Sequence, residues 1–247
     1  MIKNNLNEYK NAYQETFHFY DENILMLSWY SKKISNALRG YNCKTIMSLG
    51  IGHKIVTKTI WSDLGKMLEK YIIIEGSSEI INDFQKEIQQ SDKIQIANSL
   101  FEEFDTNEKF DAIEIGFVLE HVDDPLLLIK QYTKFLKSSG TIFIAVPNAR
   151  SLHRLIGHQA GILDNLYRLS DHDRALGHKR YFDQASLVKL IEESGLNIAV
   201  IEGLFLKPFS TAQLKSLELP KEVINALFHI GVKYPEISNA IYIEATS

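Results

Sequence analysis

The sequence has a single cysteine, and this scarcity limits the kinds of protein it can encode. Cys43 has no second cysteine among the 247 residues, so an intramolecular disulfide is excluded. The chain opens with MIKNNLNEYK, which is polar where a signal peptide would have an apolar core. Both features argue against a secreted, disulfide-stabilised protein, and we expect the chain in the cytoplasm.

Long apolar runs and an excess of positive charge are also missing. The longest apolar runs, such as Thr141 to Val146, are far shorter than the stretch of about 20 residues needed to cross a bilayer. The 31 Asp and Glu residues outnumber the 27 Lys and Arg residues, which gives a formal net charge of -4. Without a basic field to attract polyanions, the chain is expected to have neither a membrane span nor a nucleic-acid partner.

What is present is ample material for a core, since 45% of the residues are hydrophobic. Before Gly40, apolar and aromatic residues recur every three or four positions, as one face of a helix requires. This pattern predicts two N-terminal helices, and its members are Tyr9, Tyr13, Phe17, Tyr20, Ile24, Leu27 and Ile34.

After Gly40 the pattern changes to short runs of strand-forming residues separated by longer, polar or helix-periodic stretches. The seven predicted strands are 45–49, 71–74, 94–97, 112–117, 141–146, 197–201 and 240–245. Such alternation predicts a doubly wound α/β fold with a mostly parallel sheet and helices on both faces. One helix is expected from Asp124, before a proline, to Leu136, ahead of Ser139-Gly140; another is expected from Asp183 to Ser194.

The predicted organisation is a helical cap over residues 1–40 followed by one α/β domain over residues 41–247. Within that domain, residues 150–181 fit no clean period and contain three glycines and four of the eight histidines. Long connections in compact domains are usually functional or disordered. We therefore interpret this stretch as a lid or acceptor-site insertion.

A glycine turn follows the first predicted strand directly. Gly50 and Gly52 would let the backbone approach a ligand and leave helix N–H groups facing it. Glu75 closes the next strand, 23 residues beyond Gly52, where a carboxylate can accept both hydroxyls of a ribose. These residues predict a nucleoside-bearing cofactor. A dinucleotide-binding turn requires a further glycine at the position of Ile55, so NAD is the second choice for that cofactor.

Four stretches resemble, in order and spacing, the motifs of class I S-adenosylmethionine-dependent methyltransferases of the small-molecule type. They are Ile46 to Gly52, Ile74 to Ser77, Phe110 to Pro125 and Phe135 to Asn148. The most specific features are the Leu-Glu-His-Val turn and the Leu-Lys-x-x-Gly segment followed by a strand and Pro-Asn. The resemblance covers about Lys44 to Leu196 and the last strand. It implies S-adenosylmethionine as the cofactor and methyl transfer as the activity.

Carried over to this sequence, the resemblance implies that Gly50 and Gly52 approach the methionine part of the cofactor and that Glu75 binds the ribose. The further implied contacts run along the adenosine and to the amino acid end: Gly76 and Ser77 beside the adenosine, Ser99 and Leu100 at the adenine, and the backbone of Phe117 at the amino acid.

Two positions depart from the family pattern. Ser48 stands where the family often has an acidic residue, and Lys54 stands where it often has a third glycine. The first departure removes a contact to the cofactor ammonium, and the second places a positive charge where it would repel the sulfonium. Both departures are compatible with an inactive protein that only binds the cofactor.

Methyl transfer is a direct displacement, so the protein must align donor and acceptor and, for a hydroxyl acceptor, remove a proton. A histidine suits that task at neutral pH. His121 follows the fourth strand, at the sheet edge where ligands of open α/β folds bind. His178 and Tyr181 lie in Gly177 to Phe182, which resembles the family segment that carries acceptor-site residues. These three are the predicted catalytic residues; a hydrogen bond within its own turn explains His121 equally well.

The insertion is locally basic, and arginine forks hold carboxylate and phosphate groups well. An anionic small acceptor is therefore expected, with a solvated charged face as the alternative. The predicted acceptor contacts are Asn148, Arg150, His153 and Arg180. No metal is predicted, because the residues weighed for such a site have suitable donors but no recognised spacing; they are His153, His158, His172, Asp173 and His178.

The favoured function is methyl transfer from S-adenosylmethionine to an oxygen of a small polar metabolite, such as a sugar- or phosphate-containing precursor. Nitrogen is the principal alternative acceptor atom. An NAD-dependent oxidoreductase and an inactive cofactor-binding module are less favoured functions, and the sequence does not define the oligomeric state.

Overall fold

The computed structural model describes residues 20–247, apart from the side chains of Glu22 and His172. Its seven strands are β1 (Thr45–Leu49), β2 (Lys70–Glu75), β3 (Ile94–Asn98), β4 (Phe110–Gly116), β5 (Leu136–Pro147), β6 (Asn197–Leu204) and β7 (Ala240–Thr246). They form one sheet in the order β3-β2-β1-β4-β5-β7-β6. β1 pairs in parallel with β2 and β4, β2 pairs in parallel with β3, and β6 is antiparallel to β7. The predicted seven-stranded, mostly parallel sheet is confirmed.

Helices separate most of these strands along the chain. They are α1 (Tyr20–Gly40), α2 (Ile55–Leu64), α3 (Ser78–Gln85), α4 (Pro125–Thr133), α5 (Leu152–Gln159), α6 (Asp171–Ala175), α7 (Gln184–Glu193), α8 (Thr211–Ser216) and α9 (Lys221–Gly231). Asp183 caps α7 as expected, in a reciprocal pair of hydrogen bonds with Ser186. Between residues 20 and 247, none of the helices combines the length and apolarity that crossing a membrane requires.

The predicted end of the helix before β5 is wrong. α4 ends at Thr133, and Ser139-Gly140 lie inside β5, which begins at Leu136. A Cβ on Gly140 would come within 2.8 Å of the Leu136 side chain and 2.9 Å of the Phe110 carbonyl oxygen. The glycine therefore permits close packing within the strand and does not stop the helix.

The described part of the N-terminal region is one continuous helix. α1 runs for 21 residues, and the side chains of Tyr30, Ile34 and Leu38 on it are fully buried. Three members of the predicted aromatic stripe, Tyr9, Tyr13 and Phe17, lie outside the described residues. The insertion at 150–181 contains two short helices, α5 and α6, which the irregular sequence pattern does not predict.

Backbone contacts group the chain into two compact units. The first unit extends to Ile115 and includes 128–143 and Ser247. It contains β1 to β3, α1 to α3 and the glycine turn. The second unit comprises 116–127 and 144–246. It contains β6, β7 and α5 to α9, and its two ranges include all of the predicted catalytic and acceptor-binding residues.

Candidate active site

The turn after β1 adopts backbone conformations that favour glycine. Gly50 has φ 85° and Gly52 has φ 48°, a region that costs a residue with a Cβ about 1–2 kcal/mol. The Gly50 amide donates to the Ile74 carbonyl at 2.8 Å, which ties the turn to the end of β2. The turn thus places the backbone of two glycines at the carboxyl ends of two neighbouring parallel strands, as binding of a nucleoside-bearing cofactor requires.

Glu75 holds this turn in place. Its side chain is buried, Oε2 accepts from the Ile51 amide at 3.0 Å, and Oε1 accepts from the Ser77 amide at 2.8 Å. Burial raises the pKa of Glu75, and the backbone amides oppose that rise. Each carboxylate oxygen can accept more than one hydrogen bond, so the group still fits a ribose hydroxyl. Fixing the turn is a role that the sequence did not indicate.

The residues implied at the adenosine end lie on adjoining strand ends of the first unit, since Glu75 pairs with Asn98 across β2 and β3. The Ser77 hydroxyl accepts from the Ile80 amide as the N-cap of α3, while the Ser77 amide donates to Glu75. Ser99 donates its amide to the Glu75 carbonyl at 3.2 Å and its hydroxyl to the Leu100 carbonyl at 2.9 Å. In the second unit, Phe117 has a left-handed backbone with φ 58°.

The structure does not support the expected repulsion by Lys54. This residue has φ 65°, a left-handed conformation, so it keeps the backbone shape for which a glycine is suited. Its ammonium lies 2.6 Å from Oε1 of Glu87, and Lys58 contacts the same carboxylate at 3.1 Å. The charge of Lys54 is therefore compensated. Ser48 is buried, and its hydroxyl shares a 3.0 Å hydrogen bond with that of Tyr71.

In the second unit, Tyr181 is part of a polar network. Its hydroxyl donates to Oδ1 of Asp173 at 3.0 Å and accepts from Nη1 of Arg154 at 3.2 Å, while the guanidinium lies over the tyrosine ring. Asp173 also accepts from the amide and hydroxyl of Ser170. Although burial opposes ionisation, the neighbouring His178 and the hydrogen bonds from Ser170 hold the pKa of Asp173 below its usual range. These contacts make Tyr181 a group that positions Asp173.

The remaining two predicted catalytic residues meet at a buried carboxyl group. The rings of His121 and His178 lie edge to face, with centroids 4.8 Å apart. One donor atom from each of Glu120, His121 and His178 lies within 4.8 Å of the other two. The Lys179 amide donates to the Glu120 carbonyl at 2.8 Å, which holds the returning segment against the turn after β4. We refer to these three side chains as the Glu120–His121–His178 cluster.

The cluster has unusual electrostatics. Glu120 is 0% exposed, and burial raises the pKa of its carboxyl group to about 7. Burial, assisted by the neighbouring His178, lowers the pKa of His121 to about 3, so that ring is neutral at physiological pH. Oδ1 of Asp173 lies 3.3 Å from Nδ1 of His178. The sequence marked Glu120 only as a member of the Leu-Glu-His-Val turn and gave it no role in the site, because its burial is not visible in the sequence.

Asn148, a predicted acceptor contact, has extensive hydrogen bonds of its own. Its side-chain amide lies 2.9–3.2 Å from the carbonyl oxygens of Pro235, Glu236 and Ser238, to which it donates, and its Oδ1 accepts from the Arg150 amide at 2.9 Å. These contacts join the end of β5 to the segment before β7. They give Asn148 a structural role that leaves little hydrogen-bonding capacity for an acceptor.

The remaining predicted acceptor contacts have separate surroundings. Arg150 is exposed, and Nη2 of Arg180 donates to the Asp123 carbonyl at 3.1 Å. Burial lowers the pKa of His153 to about 2, and the positive charges of Lys207 and Arg154 contribute. In the described part of the chain, Nδ1 of His153 has no hydrogen-bond partner.

The neutral, half-buried His153 predicts a pH-dependent stability. Its folded-state pKa lies below the unfolded value, so the unfolded chain binds the extra proton and stability falls as pH drops below about 6.5. One pKa unit corresponds to about 1.4 kcal/mol, which bounds the loss per pH unit. Chemical denaturation between pH 7 and pH 5 is expected to show a shallower decline for His153→Phe than for wild type. An unchanged slope would contradict a neutral His153 in the folded protein. His158→Phe, at an exposed position, is the control.

The sheet order, with the glycine turn and Glu75 at neighbouring strand ends, is the architecture of class I methyltransferases. The profile of a family described as Methyltransferase domain matches residues 26–200, and the chain belongs to this family. The expected class of protein is confirmed, and with it S-adenosylmethionine as the cofactor of that class. The NAD alternative finds no support.

Curated relatives match part of the chain. Ubiquinone biosynthesis O-methyltransferase of Idiomarina loihiensis is 27% identical over 135 residues, covering 51% of this chain and 49% of the relative. The protein of the same name from Aliivibrio fischeri is 27% identical over 106 residues, covering 42% of this chain and 43% of the relative. The match thus spans about half the length of these relatives.

Solved structures share the fold along nearly the whole chain. N-methyltransferase NodS from Bradyrhizobium japonicum, in complex with S-adenosyl-L-homocysteine, has a TM-score of 0.60 at 11% identity, over 98% of this chain and 97% of that one. An S-adenosylmethionine-dependent methyltransferase from Mesorhizobium loti has a TM-score of 0.57 at 14% identity, over 86% and 96% of the two chains. At these identities the likeness concerns the fold alone.

Proposed function

We propose that this protein transfers the methyl group of S-adenosylmethionine to an oxygen of a small polar metabolite in the cytoplasm. The observation that carries the proposal is the glycine turn at Gly50 and Gly52, held by Glu75 at the end of the neighbouring strand. The names of the curated relatives favour oxygen as the acceptor atom. Nitrogen is the second candidate, because an N-methyltransferase shares the fold.

The first unit supplies the residues that we assign to the cofactor. Backbone of the glycine turn approaches the methionine part, and the remaining hydrogen-bonding capacity of Glu75 accepts from the ribose. When bound, the cofactor supplies an electrophilic methyl group on a sulfonium. The further proposed contacts are Gly76, Ser77, Ser99, Leu100 and the backbone of Phe117.

We assign the acceptor oxygen to the Glu120–His121–His178 cluster. A neutral His121 carries no charge to repel a sulfonium, and His178 is oriented by Asp173. Tyr181 acts through Asp173 as a positioning residue. For an anionic acceptor, we propose contacts from the exposed Arg150, from the guanidinium of Arg180 and from His153. Asn148 shapes the local backbone, because its Oδ1 accepts from the Arg150 amide.

The experiment that tests this function follows methyl transfer directly. The protein is incubated with methyl-labelled S-adenosylmethionine and a fractionated extract of small metabolites, and labelled products are identified by mass spectrometry. We expect a labelled methyl ether or ester. A labelled methylamine would move the assignment to nitrogen, and labelled polymeric RNA or protein in a whole extract would contradict a small-molecule acceptor.

Lys54→Gly is expected to leave cofactor affinity nearly unchanged. The Lys54 ammonium is paired with Glu87, and exposed ion pairs contribute at most about 1 kcal/mol. Glycine also adopts the left-handed backbone of this position without strain. Calorimetry with S-adenosylhomocysteine is the measurement, and Lys58→Gly, which removes the second cation from Glu87, is the matched control. A large loss of affinity confined to Lys54→Gly would show that Lys54 contacts the cofactor.

A further inference from the structure

The carboxyl group of Glu120 is buried beside two imidazole rings. Glu120 is 0% exposed, and neither Oε1 nor Oε2 has a hydrogen-bond partner within the described part of the chain. Burying a carboxyl group in this way is unfavourable unless it is hydrogen-bonded, paired or bound to a metal. The neighbours that it does have are the rings of His121 and His178, whose donor atoms lie within 4.8 Å of the carboxylate and of each other.

Each of the two imidazoles has a further polar contact besides Glu120, as metal-binding imidazoles usually do. Asp173 lies 3.3 Å from Nδ1 of His178 and is itself held by Tyr181 and Ser170. His121 has a hydrogen bond to the backbone of Gly177. These outer contacts place both rings beside Glu120.

We propose that Glu120, His121 and His178 bind one divalent transition-metal ion. Two imidazoles and one carboxylate suit ions such as Zn²⁺, Co²⁺, Mn²⁺ or Fe²⁺ better than Mg²⁺ or Ca²⁺, which prefer oxygen ligands throughout. The negative charge of Glu120 is then compensated by the cation. Three protein ligands also leave coordination positions open.

An open position gives the ion a function. A hydroxyl group bound there would lose its proton to solvent water more easily, because a cation stabilises the resulting alkoxide, whose oxygen then bonds the methyl carbon as the methyl–sulfur bond breaks. The imidazoles would then act as ligands in place of a general base. This second step rests on the proposed function, whereas binding of the ion does not.

This site differs from the metal site that residue types alone suggest within the insertion. Of the five residues considered there, only His178 is a ligand in the proposal, and Asp173 orients it. Nδ1 of His158 is hydrogen-bonded to the Leu163 carbonyl, His153 lies near Lys207 and Arg154, and the side chain of His172 is outside the described part of the chain. Glu120 and His121 are adjacent in sequence and far from His178, so no short spacing marks the set.

The test is metal binding by the full chain, stripped with a chelator and kept free of cofactor and acceptor. Co²⁺ is titrated by visible absorption, and Zn²⁺ is titrated by calorimetry and by displacement of Co²⁺. We expect one ion per chain in the wild type. Affinity should fall at least about 100-fold in His121→Ala, His178→Ala and Glu120→Gln, and about 10- to 100-fold in Asp173→Asn, which alters only an outer contact.

The controls separate this site from adventitious binding. His158→Ala and His229→Ala, at exposed positions, are expected to retain full affinity. Circular dichroism checks that each variant is folded. If Glu120→Gln does not fold, the metal affinities of His178→Ala and Asp173→Asn decide the test. The inference is overturned if the folded wild type binds none of these ions, or if folded cluster variants bind them as the wild type does. S-adenosylhomocysteine affinity, measured on the same samples, tests the proposed function separately.

Discussion

Glu75→Ala is expected to weaken binding of S-adenosylhomocysteine by about 1.5 to 3 kcal/mol, the range for hydrogen bonds to a charged group. The variant loses the proposed contact to the ribose. It also releases the Ile51 and Ser77 amides, which Glu75 holds at 3.0 and 2.8 Å. The turn would lose its anchor together with the ligand contact. Calorimetry is performed at a temperature where circular dichroism shows the variant to be folded.

Two further variants separate the ligand contact from the anchoring of the turn. Glu75→Gln retains one carbonyl oxygen for a backbone amide but presents an NH₂ group to the second amide, so an intermediate loss is expected. Glu108→Ala removes an exposed carboxylate that pairs with Lys70 and should leave affinity unchanged. Wild-type affinity in folded Glu75→Ala would remove Glu75 from the cofactor site.

Replacing His121 or His178 by alanine is expected to lower turnover by about 10²- to 10⁴-fold, the range for losing a group that assists proton removal. Both rings lie at the cluster that we assign to the acceptor oxygen. The affinity for S-adenosylhomocysteine should stay nearly constant, because the assigned cofactor residues apart from Phe117 lie in the other compact unit. Turnover is measured with methyl-labelled cofactor on the acceptor identified by the extract screen.

The matched control for this experiment is His229→Ala, an exposed position on α9, which should retain full turnover. Tyr181→Phe removes the hydroxyl that contacts Asp173 and Arg154 and should give a smaller loss than either histidine variant. Full turnover in the double His121→Ala, His178→Ala variant would eliminate both rings from catalysis. Alignment of the reacting groups would then account for the rate without affecting the family assignment.

The strands were the most predictable part of the fold. Short, largely buried runs of apolar residues such as Thr45 to Leu49 and Ile72 to Ile74 leave a clear local pattern, and all seven strands appear where that pattern predicts them. Gly140 misled the prediction, because a glycine that permits close packing inside β5 looks like a helix stop in sequence. The helices α5 and α6 lie in a stretch without a clean apolar period, so local reasoning did not find them.

The sequence predicts those parts of the candidate site in which a residue's type alone indicates its chemical role. Glycines and a carboxylate at successive strand ends indicated a nucleoside-bearing cofactor, but the role of Glu75 in holding the turn depends on contacts across two loops. His121 and His178 were singled out separately. Their meeting at Glu120 depends on tertiary packing, which no spacing in the sequence reveals.

Calorimetry of the wild-type protein with S-adenosylhomocysteine, the product formed from the cofactor, tests the proposed S-adenosylmethionine site. We expect saturable binding of S-adenosylhomocysteine at one site per chain, and no heat of binding with NADH under the same conditions. Binding of NADH without binding of S-adenosylhomocysteine would exclude S-adenosylmethionine as the cofactor.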